Sequence, residues 1–395
     1  MQPNNEAATA FILHRGNANS GIVPMCIQEY LCRAFNRSLA EGIGQMDRTI
    51  KGVARLAGLS TSTVSRALNR SGYVSPDARL RVEEAMSELG FQPNYMARGL
   101  KGKPSRLIGL IIPDISNTFY TAIAHAVSSR LRQNNYELIL CVNDEDPAID
   151  LHYLQILQQK RVDGILYTHP AAENNSAFLR ELAAGGMPIV ELNRQREDGL
   201  FDAALADNLD GAFRMTGYLL GLGHRRIGLV LGEEELTTAR DRAEGYRRAH
   251  RDADVPIDSS LMRMGNFTRR HGESAARELL ALPDPPTAIF AGSNRILMGV
   301  LAVVNEMGLK VPGDISIASF DDAEWLSIWN PPITAVDVAI DEMANLAVDL
   351  LLRRTGEPSA GRKPVTYVLR AALVRRESCR TIAAAEPAQI TQGGS

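Results

Sequence analysis

The first regular pattern of apolar residues along the chain is helical and begins at Thr49. Thr49 is a favoured N-cap residue, and Gly58 is a favoured residue for ending a helix. Between them, apolar side chains recur at i, i+3, i+4 and i+7, the spacing of one helix face: Ile50, Val53, Ala54 and Ala57. This pattern predicts a short amphipathic helix.

Two further short helices follow. Ser60 can cap the second helix, whose apolar face carries Val64, Ala67 and Leu68. The segment VSPDARLRVEEAMSELG predicts the third, with its cap, first residue and stop at Ser75, Pro76 and Gly90. Because a turn of about three or four residues that contains glycine joins the first two helices, the pattern predicts a helix-turn-helix unit.

The second helix presents an unusual polar face. With its apolar residues turned inward, Thr61, Ser62, Arg66 and Asn69 face solvent. Short hydroxyl side chains let a helix approach base edges closely, and an arginine can bind guanine through two hydrogen bonds. Hydroxyl groups also bind phosphates. We therefore interpret this helix as one that enters the major groove of DNA; a solvated polar face without a partner is the alternative.

From Arg106 onward the pattern changes to short apolar runs that alternate with amphipathic segments. Seven runs read as buried strands: RLIGLIIPD, YELILCV, VDGILYT, MPIVELN, RIGLVLG, TAIFAG and DISIASF. Helices are predicted between them, including 119–134, 148–160, 208–222, 240–252 and 296–307. So many alternating strands and helices predict an α/β core of two doubly wound parallel-sheet subdomains. A ligand is expected between the subdomains, beyond the carboxyl ends of the strands.

These patterns divide the chain into five segments. We expect a disordered leader, a helix-turn-helix headpiece, a hinge, a core that binds an effector and dimerises, and a flexible tail, at residues 1–45, 46–92, 93–105, 106–380 and 381–395. Within the core we expect subdomains at about 106–206 and 207–334, with 335–380 shared between them. Met46 directly precedes the first helix signal, so we leave open whether residues 1–45 belong to the functional protein.

Charge is distributed unevenly along these segments. The whole chain has a net charge of -3, yet residues 46–106 carry eleven basic and five acidic side chains. A small basic module joined to a larger acidic body indicates a polyanion partner for the module alone. No long apolar run suggests a membrane span and no signal peptide is recognisable, so we expect a cytoplasmic protein with no membrane role. The four cysteines are expected to be free thiols because they lack zinc-site spacing.

The hinge segment FQPNYMARGLKGKPS has two interpretations. Asn94 could cap one short helix that carries Leu100 on one side and Arg98 on another, and that helix could become ordered on DNA with an apolar side chain inserted into the minor groove. A flexible tether is the alternative, because the segment is short and interrupted by glycine.

Taken in order, several segments resemble the lactose/galactose repressor (LacI/GalR) family of bacterial transcriptional regulators. They are TIKGVARLAGLSTSTVSRALN, VSPDARLRVEEAMSELGFQPNYMARGL, IGLIIPDISNTFY, VDGILY, GHRRIGLVLG and ARDRAEGY, and the resemblance covers about residues 48–378. It implies a DNA-binding headpiece, a hinge that becomes helical on operator DNA, and a dimerising core similar to type I periplasmic binding proteins that holds a small effector between its subdomains.

The resemblance also implies roles for single residues. The base-reading positions match Thr61, Ser62 and Arg66, and the minor-groove leucine matches Leu100. Together with the hydroxyl-rich helix and the hinge, the expected DNA-binding set is Thr49, Ser60, Thr61, Ser62, Thr63, Ser65, Arg66, Asn69, Asn94, Arg98 and Leu100. The expected effector-binding set is Phe119, Tyr120, Arg242, Phe267, Ser293 and Asp321. Arg242 and Asp321 suit a hydroxylated or anionic ligand through charge-assisted hydrogen bonds; an ion pair between the subdomains is the alternative.

The chain departs from the family pattern at three places. Gly52 stands where Asp is usual in the first helix, and Gly99 precedes the leucine of the hinge. The segment AGSNR replaces the usual AxND, so that Ser293 and Asn294 occupy the aligned positions. The last change removes a charge and puts the family's usual sugar contact in question.

Two other classes of protein compete with a DNA-binding regulator. An enzyme is disfavoured because GLGHRRIGLVLG lacks the third glycine of a dinucleotide-binding motif, and no nucleotide, protease or hydrolase motif is present. We expect no catalytic residues, metal or cofactor. A periplasmic-type binding protein without a DNA role would share the core, but it would not need the basic headpiece. The prediction is a homodimeric repressor of double-stranded operator DNA, controlled by a sugar, a sugar acid or a similar small effector.

Overall fold

The computed structural model describes residues 48–69, 72–91, 104–172, 175–355 and 363–382. They divide into two compact units, one at residues 48–91 and the other at residues 104–382. None of the helices in these ranges combines the length and apolar character that crossing a membrane requires.

The first unit is a three-helix bundle. Its helices are α1 (Ile50–Ala57), α2 (Thr61–Asn69) and α3 (Pro76–Leu89). The predicted caps form: the Thr49 and Ser75 hydroxyls accept hydrogen bonds from the first turns of α1 and α3. Gly58 and Gly90 end the same helices in the left-handed conformation that glycine adopts without steric cost. The helices close on one core of Val53, Ala54, Ala57, Val64, Val82, Ala85 and Leu89, which confirms the predicted helix-turn-helix.

The second unit alternates strands and helices. Its first part contains β1 (Leu107–Ile112), α4 (Thr118–Gln133), β2 (Glu137–Val142), α5 (Pro147–Gln159), β3 (Gly164–Tyr167), α6 (Ser176–Ala184), β4 (Ile189–Leu192) and β5 (Asp202–Ala206). Its second part contains α7 (Asn208–Gly221), β6 (Ile227–Leu231), α8 (Thr237–Asp252), β7 (Met262–Met264), α9 (Arg269–Leu280), β8 (Ala288–Ala291), α10 (Asn294–Glu306), β9 (Ser316–Phe320), α11 (Glu324–Ile328) and β10 (Thr334–Val338). Helix α12 (Ile340–Thr355) and strands β11 (Thr366–Leu369) and β12 (Ala371–Val374) follow.

Two six-stranded sheets organise this unit into two subdomains. The first sheet has the order β11-β5-β4-β3-β1-β2 and the second β12-β10-β9-β8-β6-β7. All neighbours pair in parallel except β10 and β12, which pair antiparallel. The central strands are buried almost throughout because helices cover both faces of each sheet, which explains their continuous apolar sequences. The predicted α/β class with two doubly wound subdomains is confirmed.

The chain passes between the two subdomains at three places. It leaves the first sheet after β5 and enters α7, returns from β10 to α12, and crosses again between β11 and β12. The first and third crossings lie side by side, because the Asp207 amide donates a 2.8 Å hydrogen bond to the Leu369 carbonyl. The two halves are therefore joined at one end and face each other across a cleft.

Candidate functional site

Helix α2 of the first unit presents the polar face that the sequence predicted. Val64 is fully buried, whereas Thr61, Ser62 and Arg66 are exposed. The Arg66 Nε atom donates a 3.4 Å hydrogen bond to the Ser62 carbonyl, so its guanidinium lies along the helix surface. The structure thus brings together on one exposed face the side chains expected to read bases.

The hydroxyls at the start of α2 are partly used by the helix itself. The Ser60 Oγ atom accepts a 3.1 Å hydrogen bond from the Thr63 amide and lies 2.7 Å from the Ser62 hydroxyl and 2.8 Å from the Thr63 hydroxyl. Ser60 is therefore the N-cap, as predicted. Serine and threonine are poor helix formers, but their clustered hydroxyls fix the geometry of the first turn here. This explains why they stand at the start of the helix.

The other expected DNA-binding residues differ in exposure and in whether the structure describes them. Thr49 is exposed and caps α1, while Thr63 and Ser65 are half-buried on α2. Asn69 ends α2, but its side chain lies outside the described part of the structure. The three hinge positions also lie outside the described residues: Asn94, Arg98 and Leu100.

A cavity of about 250 Å³ lies between the two subdomains of the second unit. It opens beyond the carboxyl ends of strands in both sheets, the position expected for a ligand in such folds. All six residues expected to bind an effector line it: Phe119, Tyr120, Arg242, Phe267, Ser293 and Asp321. They come from segments up to about two hundred residues apart, which the pairing of the two subdomains brings together.

Arg242 on α8 is buried and held from several directions. Its Nε atom donates a 2.9 Å hydrogen bond to the Asn208 Oδ1 atom, and Nη1 donates to the Gly292 carbonyl. The guanidinium carbon lies 3.7 Å from the centre of the Phe320 ring and 5.7 Å from that of Phe267. This support fixes the guanidinium without using all of its donors, so that it can bind a ligand in the cavity.

Asp321 follows β9 and faces Arg242. Its backbone has φ of 67°, a left-handed conformation that is costly for a residue with a Cβ atom and that turns the carboxylate into the cavity. Burial raises the pKa of Asp321, while Arg242 opposes that rise. The Oδ1 atom lies 3.5 Å from Arg242 Nη2 but accepts no hydrogen bond from a described residue. It is thus a buried acceptor with unused capacity.

A second arginine in the cavity, Arg194, was not predicted. It follows β4 and is only 2% exposed. Nη1 and Nη2 donate to the two carboxylate oxygens of Glu145 at 3.0 and 2.7 Å, and Nη1 also donates to the His169 carbonyl at 2.8 Å. The buried Nε atom has no acceptor among the described residues. Arg194 comes two residues after the end of β4 and Glu145 three residues after the end of β2, so a search of the residues that follow the strands would have found both.

Aromatic and amide groups complete the wall on the first subdomain. Tyr120 packs edge-to-face against Phe119 with ring centres 5.1 Å apart. The Asn193 amide donates a 3.4 Å hydrogen bond to the Tyr120 hydroxyl, and its own Oδ1 atom accepts none from a described residue. Burial raises the pKa of Tyr120 to about 12, so the phenol stays protonated and can donate to a ligand.

The AGSNR segment lies at the edge of the cavity. The Ser293 hydroxyl oxygen accepts a 3.2 Å hydrogen bond from the Ile296 amide and caps α10, so the hydroxyl proton is what it can offer a ligand. Asn294 Nδ2 donates a 2.9 Å hydrogen bond to the Thr118 hydroxyl of the first subdomain. Arg295 Nε lies 3.6 Å from Asp114 Oδ2, also across the cleft. This segment therefore connects the two halves.

The cavity lining carries more negative than positive groups. Its two arginines, Arg194 and Arg242, face five carboxyl groups, those of Asp114, Asp144, Glu145, Glu233 and Asp321. Burial and the neighbouring Glu145 raise the pKa of Glu233, as expected where carboxylates gather. In the part of the chain that the structure describes, no three His, Cys, Asp or Glu side chains are grouped so as to hold a metal ion.

Comparisons with known proteins match both units. The family model of bacterial regulatory proteins of the lacI family matches residues 49–94, and that of the periplasmic binding protein-like domain matches residues 216–379. The ribose operon repressor of Escherichia coli (strain K12) is 35% identical over 79% of this chain and 94% of its own length. The repressor PurR of Actinobacillus pleuropneumoniae serotype 3 is 31% identical over 85% of this chain and 99% of its own.

A solved structure extends the match across the described fold. The lac repressor dimer bound to operator and the anti-inducer ONPF has a TM-score of 0.73 with this chain at 27% identity, covering 84% of this chain and 99% of the other. The helix-turn-helix unit and the two-sheet core are the two parts that the family models match, and the similarity extends over nearly the full lengths of the relatives. The chain belongs to the LacI family of bacterial regulatory proteins.

Proposed function

We propose that the chain is a homodimeric transcriptional repressor that binds operator DNA through α2 and whose affinity for the operator is set by a small neutral sugar in the cavity between its subdomains. The observation that carries the proposal is the joint occurrence of an exposed α2 face and an interdomain cavity lined by buried charged groups. A regulator needs both a DNA surface and an effector site.

The unused hydrogen-bonding groups of the cavity favour a ligand rich in hydroxyls. Asp321 Oδ1 and Asn193 Oδ1 are acceptors, Arg194 Nε is a donor, and all three are buried without a hydrogen-bond partner among the described residues. Buried polar groups normally find partners, and a hydroxyl can both donate and accept. A sugar supplies several hydroxyls in a compact frame, and aromatic residues such as Phe119 and Phe267 can cover its apolar faces.

The charge and the size of the cavity restrict the class of ligand further. Five carboxyl groups against two arginines disfavour a sugar acid or a sugar phosphate, because an anion would add to the excess negative charge. A cavity of about 250 Å³ lies just below the range of about 300–1,000 Å³ that is typical of small-molecule sites. A monosaccharide therefore suits the cavity better than a larger ligand. The name of the ribose operon repressor is consistent with this class.

The DNA role accounts for features that a periplasmic-type binding protein would not need. The α2 face combines exposed Thr61, Ser62 and Arg66 in a basic segment. The lac repressor structure, which contains a dimer bound to operator, supports the same use of this fold. Two headpieces of a homodimer would occupy successive major grooves of a near-palindromic site.

The coupling between the two sites follows from the cleft. A ligand that contacts residues of both subdomains, such as Tyr120 and Arg242, favours the arrangement in which both contacts are made. Because coupling is reciprocal, a sugar that weakens operator binding must bind the operator complex more weakly by the same factor.

The test is a thermal-shift screen of the full chain with ribose, other neutral pentoses and hexoses, gluconate, ribose phosphate and adenine. A ligand present at about 100 times its dissociation constant should stabilise the protein by about 2.7 kcal/mol. We expect a neutral sugar to do so and the two anions to have no effect. The same sugar should change the affinity for operator DNA in an anisotropy titration.

The outcomes separate the parts of the proposal. A response to gluconate or to adenine alone would contradict the neutral-sugar assignment and leave the regulator intact. A sugar that stabilises the protein without any change in operator affinity would contradict the coupling. Failure of the full chain to prefer any DNA sequence would contradict the repressor function.

A further inference from the structure

A groove on the second subdomain, distant in sequence from the cavity residues, carries no assigned role. It lies between α7 and the edge strand β12, encloses about 980 Å³ and is lined by Arg214, Gly217, Tyr218, Arg370, Leu373 and Arg375, among others. We call it the α7–β12 groove. None of the described residues that line it is acidic. That composition differs from the rest of the chain, whose net charge is negative.

Two arginines of the groove lack the partners that other arginines of this unit have. Arg376 forms a bidentate pair with Asp322 at 2.9 and 2.7 Å, whereas its neighbour Arg375 and Arg370 are exposed and form no ion pair with a described residue. Arg375 instead lies over the Tyr218 ring, with its guanidinium carbon 5.1 Å from the ring centre. The third arginine of the groove, Arg214, is paired with Asp210 at 2.6 Å. The groove thus offers two positive charges that no described carboxylate neutralises, and the Tyr218 ring supports one of them, that of Arg375.

Helix α7 is also shaped to leave this groove open. A Cβ atom added at Gly217 or Gly221 would meet nothing within 4 Å, so the packing of the described residues does not require glycine at either position. Glycine inside a helix is destabilising relative to alanine. The effect of Gly217, one turn after Arg214 on the same side of the helix, is to lower the wall of the groove.

Strand β12 supplies a free edge for pairing. It is the terminal strand of its sheet and is paired only on its β10 side among the described residues. Arg370 and Arg375 flank it, about 17 Å apart if the strand rises about 3.4 Å per residue. Unpaired edge strands bind extended peptides through main-chain hydrogen bonds. The apolar side chain of Leu373 adds a contact for a side chain between the two charges.

We propose that the α7–β12 groove binds an extended acidic peptide segment of a partner protein, which pairs with the edge of β12 and places carboxylates on Arg370 and Arg375. The size of the groove, several times that of the interdomain cavity, suits a peptide better than an inorganic anion. Its floor of strand edge and apolar side chain suits a peptide better than a DNA backbone. The site is independent of the proposed effector function.

The test uses the full chain and a fluorescein-labelled octapeptide of alternating Glu and Val, followed by fluorescence anisotropy. We expect saturable binding that weakens with salt, and no binding of the matching Lys and Val peptide. Charge reversal by Arg370→Glu with Arg375→Glu should weaken binding by more than about tenfold. Arg270→Glu, at an exposed arginine on α9, is the matched control and should have little effect.

A second variant keeps all charges and fills the groove. A Cβ atom at Gly217 would meet nothing within 4 Å and leucine is a better helix former, so Gly217→Leu should preserve or raise the unfolding temperature while abolishing peptide binding. Peptide binding by Gly217→Leu or by the charge-reversed variant that equals binding by the unaltered chain would overturn the proposal, as would the absence of saturable binding by the unaltered chain. If the charge reversal instead weakened binding to a non-operator DNA duplex or to inorganic phosphate, the peptide assignment would be wrong.

Discussion

Asp321 Oδ1 lies 3.5 Å from Arg242 Nη2 in the interdomain cavity, yet it accepts no hydrogen bond from any described residue. The pair therefore neutralises two buried charges without satisfying the acceptor. A buried acceptor left in this state is costly, and a ligand hydroxyl would remove the cost. The pair is an electrostatic contact within the fold, and it leaves in the cavity an acceptor that can still take a hydrogen bond from a ligand.

This pair should show strong energetic coupling. Arg242→Met alone should destabilise the protein by about 3–5 kcal/mol, because it leaves Asp321 as an unpaired buried charge. Adding Asp321→Asn should recover part of that loss, which a double-mutant cycle in urea would measure. The same cycle on the more exposed pair of Arg226 and Asp258 should give a much smaller coupling energy, because solvent screens that pair. Equal coupling in the two pairs would contradict this account.

Arg66 should determine base preference at one operator position. Arg66→Ala should cost about 1–3 kcal/mol at the preferred base and little at the others, because one bidentate contact is lost. Arg79→Ala, at an exposed arginine of α3, is the control and should change the affinity for every base equally. The measurement is operator affinity across single-base variants at fixed salt. A uniform loss with Arg66→Ala would assign that side chain to phosphate instead.

The two glycines that end α1 and α3 should tolerate alanine differently. Gly58 and Gly90 both have positive φ, 65° and 57°, but a Cβ atom at Gly58 would lie 2.7 Å from Arg81 Nη2. That atom donates a 2.5 Å hydrogen bond to the Ala57 carbonyl. Gly90→Ala should therefore show only the backbone cost of about 1–2 kcal/mol, and Gly58→Ala should lose about 0.5–1.5 kcal/mol more.

Amide hydrogen exchange in the helices of the first unit measures this difference in the full chain. Arg81→Ala offers the internal control, because in its presence the two glycine substitutions should become equally costly. A difference that persists without the Arg81 guanidinium would point to another cause.

Glu191 should make stability depend on pH. Burial raises the pKa of Glu191 from 4.5 to about 8, so the folded state holds its proton where the unfolded state has released it. Stability should fall as pH rises from about 4.5 to about 8, and the full contribution is present only below this window. Glu191→Gln should flatten that slope in urea unfolding, while Glu181→Gln at an exposed position should leave it unchanged. An unchanged slope in both variants would contradict the assignment.

The fold was largely predictable because its central strands are continuously apolar and buried. Outside the shared segment at about 335–380, two strands were not predicted: β5 reads DAALA, whose small side chains have little strand preference, and β7 spans only Met262–Met264. Helix α9 was also missed, since RRHGESAARELL has a narrow buried face of alanines. In each case tertiary packing, rather than local preference, determines the element.

The candidate site was predictable where single residues follow strongly predicted strands. All six expected effector residues line the cavity, yet their binding roles stay predictions. Arg194 and Glu145 escaped notice because a charged residue after a strand is common, and only the sheet order places β4 and β2 on one rim. The cleft-spanning contact of Asn294 with Thr118 depends on how two subdomains meet, which no local pattern contains.

The three chain crossings between the subdomains give the cleft a mechanical character. Parallel connections at one end resist stretching and twisting of the joint, but they oppose bending much less. The two halves therefore move relative to each other mainly by opening and closing the cleft. A ligand that binds both walls spends little of its binding energy on other displacements, so even a small ligand can drive a displacement that extends to the far ends of both halves.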